Sequence, residues 1–191
     1  MYNLIVRIFQ VREDVLGQKN VKIMRKMTKV RLKNIGLYYL KRFESSTANL
    51  RNVLQRRVNN YVYQKQDIDK KQAWIWIEEI ITEFQKLGYL DDHRYAEIKV
   101  KSYLEVGKSA RYIHGKLREK GISEQIINAI IAEQEFDPFE AAMKLARKKR
   151  IGPYCQDQNL RKERKSKDLA VLVRAGFDYD VAISVLETQP D

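Results

Sequence analysis

Two stretches of this chain repeat one another. Leu117-Arg118-Glu119-Lys120-Gly121-Ile122-Ser123 corresponds to Leu172-Val173-Arg174-Ala175-Gly176-Phe177-Asp178, and the apolar positions beyond, Ile126, Ile127, Ile130 and Ile131, correspond to Val181, Ala182, Val185 and Leu186. Glycine, an apolar residue, then Ser or Asp is a compact joint between helices. The glycine takes the left-handed stop, the apolar residue packs back, and the side-chain oxygen caps the next helix. A second parallel sets Ser46, Leu50 and Leu54 against Ser109, Ile113 and Leu117. Tandem three-helix units follow from these matches. A unit of about 50 residues is near the lower limit for its own core, so neighbours stack and the molecule grows lengthways.

The rest of the chain keeps the same grammar. Gly88, Gly107, Gly121, Gly152 and Gly176 fall where helical periods end. The spacing of Leu32, Ile35, Gly36, Tyr39, Leu40 and Phe43 predicts a first helix over 30–43. Ser45-Ser46-Thr47 caps a second helix carrying Leu50, Val53 and Leu54, which Asn59-Asn60 is expected to stop. After a polar stretch, Gln64–Gln72, comes a third helix with Trp74, Ile77, Ile80, Ile81, Phe84 and Leu87. Trp74 shares its face with Ile77 and Ile81 and is assigned to the core; Trp76 is expected to be exposed or partly buried. Asp91 or Asp92 starts a helix with Ala96, Val100, Tyr103 and Leu104, Ser109 starts one with Ala110, Ile113 and Leu117, and Ser123 caps the next. Asp137-Pro138-Phe139-Glu140 opens a helix that ends at Gly152-Pro153. A charged loop is expected to follow, then a helix with Leu169, Leu172 and Val173, and a last helix capped by Asp178. The expected architecture is all-α, three tandem three-helix repeats forming an elongated, curved molecule: a basic extension over 1–29, then repeats over 30–90, 91–136 and 137–191.

Composition narrows the function. The net charge is +12 over 191 residues, which invites a nucleic-acid partner. More than half of the excess lies in residues 1–33, however, with nine Lys/Arg against two acids. Met24 and Met27 are alternative starts, so the extension is expected to be either untranslated or disordered. The single cysteine, Cys155, excludes an internal disulfide and suits a reducing cytoplasm, with an idle thiol. No apolar run approaches the roughly 20 residues of a membrane span.

Candidate chemistry is sparse. No glycine-rich phosphate loop is present. The two histidines, His93 and His114, stand far from each other and from Cys155, without metal-ligand spacing. Asp91-Asp92 reads as helix capping rather than a carboxylate pair. No catalytic residue, cofactor or metal is expected. Long surfaces without deep pockets favour binding a partner.

Tyr38-Tyr39-Leu40-Lys41-Arg42-Phe43, Ser45-Ser46 and Asn49-Leu50-Arg51 resemble the opening of RecX-type proteins. Gly88-Tyr89-Leu90-Asp91-Asp92, with Arg94-Tyr95-Ala96 after it, is similar to that family's most characteristic stretch. Gly107-Lys108-Ser109, Arg111-Tyr112-Ile113, Lys116-Leu117, Lys120-Gly121 and Arg174-Ala175-Gly176-Phe177 fit as well. The resemblance covers roughly residues 30–187; residues 1–27 have no counterpart in it. It implies a non-enzymatic regulator of the RecA recombinase that lies in the groove of the RecA–DNA filament and limits its growth, strand exchange and ATP turnover. Its partners would be the RecA filament and single-stranded DNA within or near it, with no membrane, the protein itself being a cytoplasmic monomer. The surface expected to serve is the basic stripe of the second helices: Arg51, Arg56, Arg57, Lys108, Arg111, Lys116, Arg118 and Lys120, with Lys148, Lys149 and Arg150. Two alternatives are a regulator reading duplex DNA through Asn49, Asn52 and Gln55, and a helical scaffold for another protein.

Overall fold

The computed structural model describes residues 26–65, 68–134 and 136–189, and among them it is all-helical. The first triplet comprises α1 (Lys29–Leu40), α2 (Thr47–Lys65) and α3 (Lys70–Lys86); the second α4 (Asp92–Glu105), α5 (Ala110–Arg118) and α6 (Glu124–Ala132). The third comprises α7 (Pro138–Lys149), α8 (Gln158–Arg174) and α9 (Tyr179–Glu187), with a 3-10 turn over Gly152–Tyr154. Closely packed helix pairs lie within triplets.

Each triplet buries its own apolar stripe. Leu32, Leu50, Leu54, Val58, Ile77, Ile80 and Phe84 close the first core. Tyr95, Ala96, Val100, Ile113, Leu117, Ile127 and Ile130 close the second. Ala142, Ala146, Leu172, Phe177, Ala182 and Val185 close the third. Each fully buried Leu or Ile contributes on the order of 1.5–3 kcal/mol, so the three small cores are separately substantial. The chain is thus a succession of triplets around successive cores, which gives it an extended rather than globular build.

Helix ends follow the glycines. All five stop glycines have positive φ, between 57° and 92°. At Gly121 the amide of Ile122 reaches back to the Leu117 carbonyl, and at Gly176 the amide of Phe177 reaches back to Leu172. This six-residue closure satisfies carbonyls that the helix leaves unpaired.

Several local expectations are corrected. Asn59-Asn60 does not stop α2, which runs on to Lys65. Val58 and Tyr61, both buried in the first core, continue the Leu50–Leu54 stripe, and packing outweighs the weak helix propensity of asparagine. The run after Cys155 is not a loop: Asp157 caps α8 through the amides of Asn159 and Leu160, so Arg161 through Lys167 are helical. The first helix ends at Leu40, leaving Phe43 exposed. Ala73 rather than Trp74 faces the core floor, and both tryptophans are half-buried against it. Leu87 is a helix cap, exposed to solvent. Helix α7 ends at Lys149, and its cap, Arg150, two residues before Gly152, itself takes the left-handed conformation at φ 55°. Asp178 makes no side-chain cap bond, because its carboxylate is turned to Arg111, 3.5 Å away. Residues 1–25 of the basic extension lie outside the described residues; Met27 is buried in the first core and Thr28 caps α1.

Two polar joints connect the triplets, and they are copies of one another. At the first, the Ser46 hydroxyl accepts the Asn49 amide at 3.2 Å and donates to the Lys120 carbonyl at 2.6 Å. At the second, the Ser109 hydroxyl accepts the Tyr112 amide at 3.1 Å and donates to the Ala175 carbonyl at 2.7 Å. The receiving carbonyl in each case precedes a stop glycine, and the approach requires that glycine. A Cβ on Gly121 would fall 2.4 Å from the Ala48 Cβ, and one on Gly176 would fall 2.5 Å from the Ser109 Oγ. The first joint carries more bonds: the Thr47 amide donates to Asp92 Oδ1 at 2.7 Å and Lys120 Nζ to Asn49 Oδ1 at 3.1 Å. Asp92 therefore serves the N-terminus of α2 from the neighbouring triplet, while Asp91 caps its own helix through the amides of His93 and Arg94.

Candidate functional site

The cations expected to form one stripe divide by what they touch. Arg51 grips Glu78 with two bonds, Nε at 2.7 Å and Nη2 at 3.0 Å. That hydrogen bond holds the Arg51 guanidinium still more firmly protonated than usual, against the opposing cost of partial burial. Lys29 and Lys33 pair with Glu79 and Glu83, so one face of α3 is laced to α1 and α2 by three bridges. Lys120 and Arg111 are spent at the two joints. Lys116 lies 2.9 Å from Glu119, whose hydrogen bond raises the ammonium pKa, and Arg118 lies 2.6 Å from Glu124. Lys108 stands over the Tyr112 ring at 4.6 Å. Lys148, Lys149 and Arg150 are exposed at the end of α7, where positive charge favours the helix C-terminus.

Arg56 and Arg57 differ. They project from α2 across a groove toward α1 and are joined there by Arg42, a cation that the stripe of second-helix charges does not include. The groove measures about 440 Å³ and is lined by Tyr38, Tyr39, Phe43, Val53 and Asn60 besides the three arginines and Ile35. It continues into a second of about 820 Å³ that shares Ile35, Tyr38, Arg57 and Asn60 and reaches Lys26 and Gln64. Among the described residues no acidic side chain lines either part. Among the described residues the three arginines have no carboxylate partner: Arg42 Nη1 meets the Tyr38 hydroxyl at 3.3 Å and Arg56 Nε the Asn52 carbonyl at 3.3 Å. The Arg42 guanidinium lies 5.7 Å from the Tyr38 ring centre and 5.6 Å from that of Phe43. Both rings face water, Tyr38 at 65% and Phe43 at 51% exposure.

The groove exists because α1 stops early. With the helix ended at Leu40, the turn to Ser45-Ser46 leaves Phe43 exposed, its ring tilted by 42° against that of Tyr39 at 5.2 Å between centres. Arg42 lies in the turn just past the helix end, where its Nη1 meets the Tyr38 hydroxyl at 3.3 Å. Phe43 is legible in the sequence as an apolar residue but not as an exposed one; the nearby Ser45-Ser46 cap signal marks where the helix has already ended.

Elsewhere the candidate chemistry is structural. Asn49 donates to the Tyr39 and Ser45 hydroxyls at 2.9 and 2.8 Å and accepts from Lys120, which removes it from the base-reading set of Asn49, Asn52 and Gln55. His93 faces Glu97 at 3.4 Å and His114 faces Glu124 at 3.1 Å. The Cys155 thiol, half-buried, approaches the Asp157 carbonyl at 3.6 Å. Among the described residues no group of three or more His, Cys, Asp or Glu side chains is disposed to hold a metal, and no helix is long and apolar enough to cross a membrane.

Three helical triplets with separate cores and shared joints define the class: a tandem three-helix repeat protein. Comparison with known proteins places it more narrowly. A family model described as "RecX, second three-helix domain" matches residues 91–130. The regulatory protein RecX of Myxococcus xanthus is 34% identical over 179 residues, spanning 93% of this chain and 95% of that protein. That of Agrobacterium fabrum is 31% identical over 154 residues, spanning 81% and 80%. Among solved structures, RecX from Lactobacillus salivarius superposes with a TM-score of 0.59 at 23% identity, over 83% of this chain and 94% of that one. The chain belongs to the RecX family.

Proposed function

We propose that this protein is a non-enzymatic regulator of the RecA recombinase, binding the RecA–DNA filament and inhibiting its growth, strand exchange and ATP turnover. The observation that carries this reading is likeness to a regulatory protein RecX along nearly the whole chain rather than one module. The extended run of triplets supports it, since successive units present a long surface of the kind a filament groove would take. The partners are the RecA filament and the single-stranded DNA it encloses, met by a monomer in the cytoplasm. Of the cations offered for this contact, Arg56, Arg57, Lys108, Lys148, Lys149 and Arg150 have no carboxylate partner among the described residues, while Arg51, Arg111, Lys116, Arg118 and Lys120 are engaged within the fold. Unengaged cations contribute to encounter and register with a polyanion.

The test is RecA ATP turnover on single-stranded DNA with the purified protein added. Turnover should fall as protein is titrated in, and the protein should co-sediment with the filament. Unchanged turnover without co-sedimentation would remove the reading.

A further inference from the structure

We infer that the groove between α1 and α2 is a base-stacking subsite for single-stranded nucleic acid, in which Tyr38 and Phe43 take the bases and Arg42, Arg56 and Arg57 take the phosphates. The inference deepens the reading above by naming the surface that meets the strand; it does not require RecA to be present.

Three observations converge on it. First, the triplet sorts its cations by face. Every cation directed at α3 has a glutamate within bonding distance (Lys29, Lys33, Arg51), whereas the three arginines of the groove have none among the described residues. Leaving neighbouring like charges unneutralised is unfavourable for the fold alone, and a polyanion relieves it. Second, two large rings stand exposed beside those arginines, with Arg42 between them within cation–π range. Flat rings interleaved with arginines are the chemistry of single-strand grooves, because every unpaired base offers a π-face while its phosphate offers charge. Third, the groove has length. Its two parts are continuous along the α1–α2 seam through Ile35, Tyr38, Arg57 and Asn60, so a strand can lie along it rather than touch a point.

The same features argue against other occupants. Duplex DNA would reach the arginines with its phosphates, but its bases are stacked on one another and leave Tyr38 and Phe43 unsatisfied. An acidic protein loop would neutralise the arginines and likewise leave the rings in water.

The experiment measures binding of a fluorescein-labelled oligothymidylate to the purified full chain by anisotropy, without RecA, with a duplex of equal length alongside. Tyr38→Ala and Phe43→Ala remove exposed rings and should preserve the helical circular-dichroism spectrum. Each should weaken the single strand by roughly 5- to 100-fold, the loss of about one stacked base, and the duplex by far less. Arg56→Gln combined with Arg57→Gln should lower the slope of log affinity against log salt by about 1.4, at ~0.7 per phosphate. Arg164→Gln with Lys167→Gln, exposed on α8 and outside the groove, should leave the single strand within about twofold. The inference is overturned if the wild-type chain does not bind the oligonucleotide, if the ring variants bind as wild type does, or if single and double strands respond equally to them. It is also overturned if the groove variants lose RecA binding in the absence of any nucleic acid, which would make the groove a protein interface. RecA inhibition by a wild-type chain that does not bind the oligonucleotide would leave the regulatory reading standing alone. Strand binding with no effect on RecA turnover would do the reverse.

Discussion

The Ser46 hydroxyl donates to the Lys120 carbonyl over 2.6 Å while accepting the Asn49 amide, so a single oxygen both begins a helix and fastens the next triplet. Ser109 repeats the arrangement against Ala175. Helix capping and unit-to-unit attachment are therefore one interaction, and removing either serine should damage both. Ser46→Ala and Ser109→Ala are each expected to cost about 1–3 kcal/mol, the cap and a buried hydrogen bond together. Native-state hydrogen exchange of the amides flanking each joint is the measurement. Equal protection in wild type and variants would contradict the role.

Glycine replacements should take opposite signs at two positions. Gly176 has φ +92°, and an added Cβ would come within 2.5 Å of the Ser109 Oγ. Gly176→Ala is expected to lose roughly 1–3 kcal/mol from backbone strain and overpacking at the joint. Gly115 lies inside α5, and a methyl added there would meet nothing within 4 Å, so Gly115→Ala is expected to gain about 0.5–1 kcal/mol. Denaturant midpoints of the two variants decide it.

Because the cores are separate, core damage should stay local. Leu54→Ala, Leu117→Ala and Leu172→Ala each empty a fully buried position in a different triplet, and each is expected to cost about 2–5 kcal/mol. In a quasi-one-dimensional array the loss should appear chiefly in the exchange rates of the same triplet and weaken across a joint. A uniform loss of protection throughout the chain would mean one cooperative core instead.

The Glu124 carboxyl is held below its ordinary value of 4.5 by hydrogen bonds from His114 first and Arg118 second. A carboxylate with a depressed folded pKa stabilises the fold above the unfolded value and loses that contribution as pH falls through the folded one. The dependence should therefore appear below pH 4.5, and be small, since both partners are solvent-accessible. In a carbon-detected titration of the side-chain carboxyl, His114→Ala should move Glu124 back toward 4.5. No movement would assign the shift to Arg118 alone.

Arg51→Gln separates a structural cation from a functional one. Its bidentate bond to Glu78 is partly exposed, so the substitution is expected to cost ~0–1 kcal/mol. Inhibition of RecA turnover should be unchanged within about twofold. A large loss of inhibition with an intact fold would return Arg51 to the contact surface.

What is legible in the sequence is periodic or punctuated. Gly121-Ile122-Ser123 and Gly176-Phe177-Asp178 announce the turn from second to third helix in two triplets, though not the serine of the preceding triplet that bonds there, and the Leu50–Leu54 and Ile113–Leu117 pairs announce two of the cores. Asn59-Asn60 misleads because tertiary burial of Val58 and Tyr61 carries α2 through residues that would end an isolated helix. The start of α8 is hidden because Asp157 stands in a strongly charged run with no apolar stripe to mark it. The groove is half legible: Arg56 and Arg57 are visible as charge, but their lack of acidic partners depends on which face of α2 meets α3. No local pattern records that Arg51 finds Glu78 while Arg57, less than two turns on, finds no carboxylate among the described residues.

The serine latch has a polarity. Triplets one and two each extend a hydroxyl forward; triplets two and three each offer a glycine-backed carbonyl to receive it. In the third triplet the place of Ser109, the cap of the middle helix, is taken by Asp157, whose carboxylate accepts the Asn159 and Leu160 amides of its own helix. Like rail cars hooked from one side, the units are fastened in a single direction, so loss of one hydroxyl loosens one coupling and leaves the other closed.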